Sequence, residues 1–345
     1  MWTKQQEPEE MGVAEMLTDV ILVDKNVNKE ETYAQAVDII RDGGIVAFPT
    51  ETVYGLGADA TNAEAVGKIF EAKGRPSDNP LIVHVDSKES AVGYAEEVSD
   101  KALKLMDAFW PGALTLILKS KPGVFAMNVT ADLDTVGIRV PNHPVALNLL
   151  KRLKLPIAAP SANTSGKPSP TLAEHVYHDM EGKIPLILDG GPTKIGIEST
   201  VLDMTSEPPV ILRPGNVTKQ QIENVIGTVR LSAEVQGSKP KSPGMKYTHY
   251  APEAPVYLIE DDSGLIKKAI QHVQGKGRKV AVLSAADYPE ADYHFPLSAE
   301  TLYSSLRKCD MTDADLILAG VSAEHDDNDF MMNRLEKAAD HKWFS

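Results

Sequence analysis

The sequence predicts an α/β protein in two units, a larger mixed sheet with helices followed by a smaller parallel one. Three observations predict it. Short apolar runs bounded by turn residues alternate with helix-period stretches across residues 33–226. Residues 228–253 then become polar and Pro-rich, as an interdomain linker does. Beyond them the alternation resumes on a smaller scale. The chain has 345 residues, and at roughly 100–200 residues per domain two is the default.

Residues 33–42 (YAQAVDIIRD) have helical spacing and stop at Gly43-Gly44. The run Ile45 to Phe48 then ends at Pro49, as a buried strand would. A second helix is expected from Ala63 to Lys73. Further strands are expected at 81–85 (LIVHV), 114–118 (LTLIL), 136–140 (VGIRV), 156–159 (PIAA), 186–189 (LILD), 199–203 (STVLD) and 210–213 (VILR). Helix patterns at 99–109, 144–153, 171–180 and 218–226 fall between several of them. Some strands follow one another with no room for a helix, so the sheet is mixed. After the linker come VYLIE (256–260), a helix at 263–274, KVAVLS (279–284), a helix at 298–309, DLILAG (315–320) and a closing helix from Met331 to Ala339. Strands separated by helices favour a parallel, Rossmann-like sheet. The expected organisation is an N-terminal extension (1–30), a larger α/β domain (31–227), a linker (228–253) and a small C-terminal α/β domain (254–345).

Composition excludes several classes. The chain is 42% hydrophobic and 24% charged, which is ordinary globular usage and not that of a disordered tail or a coiled-coil rod. The formal net charge is −14, the wrong sign for a protein that coats nucleic acid. The acid is concentrated in residues 1–31 and 254–345, which leaves 32–253 nearly neutral, so an anionic substrate meets less repulsion there. The single cysteine, Cys309, lies in a helical stretch and reads as packing. One cysteine fits a reducing compartment, and the acidic N-terminus resembles no secretory signal, so the expected location is cytoplasmic. No apolar run approaches the ~20 residues of a membrane span.

Common chemical motifs are missing or out of place. Gly55 to Ala60 fits G-x-G-x-x-A, but six residues separate it from the preceding strand, and no acid follows at the expected distance. It reads as a tight loop that needs small residues. Gly166-Lys167 runs into Pro168, so there is no P-loop. His175 and His178 have no third metal ligand placed by sequence and read as exposed helix positions. No G-x-S-x-G elbow appears. More informative are PTETVYGLG (49–57), the cationic loop KGRPSDNP (73–80) and the hydroxyl-rich loop SANTSGKPS (161–169). Arg139 lies inside one apolar strand and Arg213 ends another. A guanidinium there is costly to desolvate without an anion. A structural salt bridge and a ligand both remain open for each arginine alone. Taken with Lys73 and Arg75, they favour a site for several anionic groups.

PTETVYGLG (49–57), KGRPSDNPLIVH (73–84), FWPGALTLIL (109–118), DTVGIRVPNHP (134–144), PIAAPSANTSGKPSPT (156–171), DGGPTKIGIESTVLD (189–203) and LRPGNVT (212–218) resemble the YrdC family in sequence and order. SPGMKYTHYAP (242–252) and MNRLEKAA (332–339) are similar to its long, two-domain form, the L-threonylcarbamoyladenylate synthases. The resemblance spans about residues 33–339. It implies a YrdC-like mixed twisted sheet. It also implies the synthesis of threonylcarbamoyl-AMP and pyrophosphate from L-threonine, bicarbonate or CO2, and ATP. That product serves threonylcarbamoyladenosine modification of tRNA beside the anticodon. By the same resemblance Thr52, His84, Arg139, Ala159 and Ser199 would hold threonine, with Arg139 forking its carboxylate. Lys73, Arg75, Asn79, Thr135, Ser161, Asn163, Ser169, Arg213 and Tyr247 would hold ATP, with Tyr247 on a flap hinged near Gly244. Lys73, Arg75, Ser161 and Asn163 are expected at the reacting groups. Mg2+ is expected to come with ATP, with no organic cofactor and no metal site in the protein itself. Expected partners are the tRNA threonylcarbamoyl-transfer proteins downstream and a weak tRNA contact, with no membrane. Two departures from the pattern stand out. Asp132 replaces a usual small residue, and AEHDDNDFM (323–331) replaces a Gly-containing apolar loop. A carbamoyl-adenylating transferase that uses carbamoyl phosphate is the nearest alternative, and one cysteine argues against its zinc-type clusters. An RNA-binding module is the other, and the acidic balance disfavours it.

Overall fold

The computed structural model describes residues 16–24, 30–232, 250–322 and 330–344. The linker residues Gly244 and Tyr247 and most of the acidic stretch 323–331 lie outside them. Among the described residues, two sheets form. The larger contains β1 (Asp19–Leu22), β2 (Val46–Phe48), β3 (Gly55–Asp59), β4 (Ile82–His84), β5 (Leu114–Lys119), β6 (Thr135–Arg139), β7 (Ile157–Ala158), β8 (Leu186–Asp189), β9 (Thr200–Asp203), β10 (Val210–Arg213) and β11 (Arg230–Leu231). Their spatial order is β1-β8-β2-β3-β7-β4-β6-β5-β9-β10-β11, with parallel and antiparallel pairs mixed. The smaller sheet contains β12 (Val256–Glu260), β13 (Val280–Ser284), β14 (Tyr293–Pro296) and β15 (Leu316–Val321), in the order β12-β15-β13-β14. All its pairs are parallel. The expected fold class is the one observed.

Both faces of the large sheet are covered, and the pleat shows how. Successive strand side chains point to opposite faces. On β2, Val46 and Phe48 join one cluster with the helices Glu30–Arg41 and Pro144–Leu153, while Ala47 joins another with Ala63–Lys73. On β8, Leu186 and Leu188 join the first and Ile187 the second. A strand covered on both faces must be apolar throughout, which is why these strands read as unbroken apolar runs.

Three expectations need correction. Gly55 to Asp59 is not a loop but β3, paired antiparallel with β2. Its glycines are there for space: a Cβ on Gly57 would lie 2.6 Å from the Phe48 ring and 2.7 Å from Ile157. The expected N-terminal extension contributes β1, an edge strand parallel to β8. The small sheet also gains β14, which the sequence reading missed. Among the described residues, no helix is long and apolar enough to cross a membrane.

The two sheets share a buried contact. Val53 and Ile197 of the larger unit pack in one cluster with Leu258, Tyr303 and Leu335 of the smaller. Arg307, on helix Leu302–Asp310, pairs with Asp179 at 2.8 Å and donates to the Pro168 carbonyl at 2.6 Å. Arg334, on helix Phe330–Ala338, pairs with Glu198 at 3.2 Å and donates to the Pro214 carbonyl at 2.7 Å.

Gly57→Ala should destabilise the protein by about 1–3 kcal/mol through overpacking. Gly67, inside a helix with open space at its Cβ position, is the control: Gly67→Ala should stabilise by about 0.5–1 kcal/mol. Urea midpoints of the two variants check both signs.

Candidate active site

The sheet register assembles the site. His84 on β4 pairs in register with Arg139 on β6. Ile82 lies two residues before His84, on the same face, and all three line one cleft. On one flank, helix Ala63–Lys73 begins at Asn62, whose side chain accepts from the N–H groups of Glu64 and Ala65. It stops at Gly74, whose φ of +61° is left-handed and favours glycine. That stop brings Lys73 and Arg75 to the cleft. The segment after β7 forms another wall, from Ala159 to Ser169, and Ser199 and Arg213 form a third. The cleft holds about 80 Å³ of free volume between these walls.

The cations are only partly satisfied by the protein. Arg139 is buried. Its Nη2 donates to Glu51 Oε2 at 2.9 Å and its Nη1 to Thr52 Oγ1 at 3.2 Å. Arg139 Nε and Glu51 Oε1 have no protein partner. The second Glu51 oxygen also accepts from the Asn142 N–H at 3.0 Å. Lys73 Nζ donates to the carbonyls of Ser161 at 2.5 Å and Asn163 at 2.6 Å, which leaves one of its three donors. Arg213 donates to the Ser199 carbonyl at 3.0 Å and to its hydroxyl at 3.3 Å. The Ser199 hydroxyl also bonds Thr115 at 2.7 Å.

Burial shapes the titration of these groups. It pushes Lys73 well below the usual lysine range, and Arg75 adds to the effect. Burial, then Arg139, push His84 well below its ordinary value, so its ring is neutral. Glu198 goes the other way. Burial opposes its charge, but Arg334 and Arg213 outweigh burial and bring its carboxyl down to about 2. Glu198 Oε1 accepts from the Ser169 hydroxyl at 2.6 Å, and Oε2 accepts from Tyr303 at 2.8 Å.

The structure brings most of the expected residues together. Thr52, His84, Arg139, Ala159 and Ser199 all line the cleft, as do Lys73, Arg75, Ser161, Asn163, Ser169 and Arg213. Two expected nucleotide contacts do not. Thr135 begins β6 while Arg139 ends it, and four strand steps separate them by roughly 13 Å. Asn79 is fully buried behind Arg75, which reaches its carbonyl at 3.5 Å. Tyr247 lies outside the described residues, and Tyr250 lines the cleft nearby. Tyr250 holds a left-handed φ of 67°, uncommon for a bulky residue and kept only when neighbours enforce it. Its ring stacks on Tyr303 at 5.2 Å, and the next residue, Ala251, donates to the Gly166 carbonyl at 2.9 Å. Sequence reasoning missed Glu51, Thr115, Glu198 and Tyr250. The signal for Glu198 was an acid between Ile197 and an apolar strand. His175 is half-buried rather than exposed, and burial pushes it down to about 4. Among the described residues, no cluster of His, Cys, Asp or Glu could hold a metal ion.

A polar, cation-lined cleft laid across a mixed sheet, with a second parallel unit docked beside it, defines an α/β binder of phosphate and carboxylate groups. Residues 38–215 match the Sua5–YciO–YrdC family model, described as telomere recombination, and residues 217–340 match the threonylcarbamoyl-AMP synthase C-terminal domain. The chain belongs to this family, in its two-domain form. The threonylcarbamoyl-AMP synthase of Bacillus subtilis is 50% identical over 93% of this chain and 96% of its own. That of Schizosaccharomyces pombe is 40% identical over 88% and 87%. The crystal structure of Pyrococcus abyssi Sua5 complexed with L-threonine matches with a TM-score of 0.87 at 44% identity, covering 95% of this chain and 98% of that one.

The Glu198 shift gives a pH prediction. Its folded carboxyl titrates near 2 against 4.5 unperturbed. A depressed pKa stabilises above the unfolded value and loses that stabilisation as pH falls through the folded one. Glu198→Gln should therefore be less stable than wild type at neutral pH by about 3–5 kcal/mol, since it leaves Arg334 without its anion. The gap should narrow as pH falls from 4.5 towards 2, as urea titrations at several pH values will read.

Proposed function

We propose that this chain is an L-threonylcarbamoyladenylate synthase, which joins L-threonine, bicarbonate or CO2, and ATP into threonylcarbamoyl-AMP with release of pyrophosphate. The product supplies the threonylcarbamoyl group for tRNA modification beside the anticodon. The observation that carries the reading is Arg139: a buried guanidinium, facing the cleft, with Nε unpartnered and Thr52 and His84 beside it. A free amino acid has the carboxylate such a fork binds. The printed threonine ligand of the P. abyssi relative and the names of the curated relatives support the same choice.

The chemistry suits a cleft with no nucleophile of its own. The neutral threonine amine adds to CO2 and releases a proton, or adds to bicarbonate and releases water, and either route gives the carbamate. A carbamate oxygen attacks the α-phosphorus, and the bond to the bridging oxygen of pyrophosphate breaks. Several anions must sit close together while water stays away. Arg139, with Thr52 and a neutral His84, orients the amino acid. Lys73, Arg75 and Arg213 gather the phosphates, and Ser161 and Asn163 place the carbonyls that fix Lys73. Magnesium, which supplies charge neutralisation on the phosphates, would ride on ATP. Among the described residues, Glu198 is the one carboxylate that lines the cleft, and it is committed to Ser169, Tyr303 and Arg334.

Pyrophosphate release should require threonine and bicarbonate together, and release without threonine would contradict the reading. Arg139→Lys keeps a charge for Glu51 but loses the fork. It should raise KM for threonine about 10- to 100-fold, the cost of a charged hydrogen bond, with KM for ATP little changed. An unchanged threonine KM would remove Arg139 from that role.

A further inference from the structure

The second unit reaches the cleft wall through Glu198. Tyr303 and Arg334 hold its Oε2, while Oε1 takes the Ser169 hydroxyl proton. Glu198 and Ser169 are both buried and both line the cleft. An ionised carboxylate only accepts, so the proton of Ser169 is committed to Glu198, and what the hydroxyl offers the cleft is a lone pair. Phosphate oxygens are acceptors and are poor partners for that lone pair. The donors of a nucleotide are its sugar hydroxyls and the amino group of its base.

We propose that Tyr303 and Arg334 are positioning residues: by fixing the Glu198 carboxylate they set Ser169 as a hydrogen-bond acceptor for a donor on the nucleoside part of the substrate. The proposal rests on the nucleotide reading of the cleft and adds which end of the nucleotide Ser169 meets. It also gives the second unit a task inside the active site, since two of the three groups on Glu198 come from it.

The test is calorimetric binding of Mg-ATP to the full-length protein, with KM for ATP and for threonine measured alongside. Ser169→Ala and Tyr303→Phe should each weaken ATP about tenfold, the loss of one hydrogen bond, with the threonine KM within about twofold. The double variant should lose about tenfold in total rather than a hundredfold, because both changes act on one bond. Ile270→Ala, in a core cluster of the same unit separate from the one that holds Tyr303, should lower the melting temperature and leave ATP affinity within about twofold. Triphosphates of 2′-deoxyadenosine, 3′-deoxyadenosine and purine riboside each lack one donor. With one of the three, Ser169→Ala should cost nothing further. Additive losses, an ATP defect in Ile270→Ala equal to that in Tyr303→Phe, or a Ser169→Ala penalty equal with all three analogues would overturn the proposal. Wild type that binds no ATP would sink the nucleotide reading itself. Wild type that turns ATP over while Ser169→Ala binds it normally would sink this proposal alone.

Discussion

Lys73, Arg75, Arg139 and Arg213 face one cleft, and like charges in a partly dry wall repel one another strongly. The larger unit is arranged around holding them there without cancelling them. Arg139 is tied by Glu51 and Thr52, Lys73 by two carbonyls, Arg75 by the Asn79 carbonyl, and Arg213 by Ser199. Three of these four ties are neutral carbonyls. A carbonyl stabilises a cation without supplying a full countercharge, so the field towards the cleft survives. Arg139 meets the Glu51 carboxylate and still keeps Nε unpartnered. Full neutralisation would have produced a more stable and less useful protein.

The hydroxyl-rich wall is held from behind by the second unit. Arg307 takes the Pro168 carbonyl and Asp179 together, and Asp179 in turn accepts from the Thr164 N–H at 3.1 Å. Arg334 and Tyr303 take Glu198, which takes Ser169. Thr164, Pro168 and Ser169 are thus fixed at three points of one loop by a partner that lies outside its own sheet. Burial alone would raise the carboxyls of Asp179 and Glu198, and the two arginines reverse the sign. The second unit therefore supplies the cations that keep the acids of the first ionised. A loop made largely of small and hydroxyl residues has little side-chain packing of its own, so its rigidity must come from such bonds.

Most strands were legible because strands covered on both faces leave unbroken apolar runs, as at 81–85 and 114–118. β3 was not, because its requirement is room against Phe48 and Ile157, and glycine meets that need while it mimics a loop. With four residues each, and both at sheet edges, β1 and β14 gave too little signal. In the cleft, cations in apolar strands announced themselves, since nothing local could offset them. Glu198 did not, because its meaning lies in Tyr303 and Arg334, 105 and 136 residues away in the chain. Thr135 and Asn79 are not among the residues that line the cleft: a motif match carries residue types, and says nothing of strand position or burial.

The same geometry links anion binding to proton binding. Burial and Arg75 both push Lys73 towards its neutral form when the cleft holds no anion. An anion docked beside Nζ acts in the opposite direction and favours the ammonium. Binding of a polyanion and protonation of Lys73 therefore help each other, and each is weaker alone. Glu198 differs, since Arg334 and Arg213 already hold it charged. One wall thus responds to its ligand while the other stays fixed. A reaction that must gather several anions before an unstable carbamate decomposes gains from both: a responsive cation that rewards the arrival of phosphate, and a rigid acceptor that keeps the nucleoside in place while the chemistry proceeds.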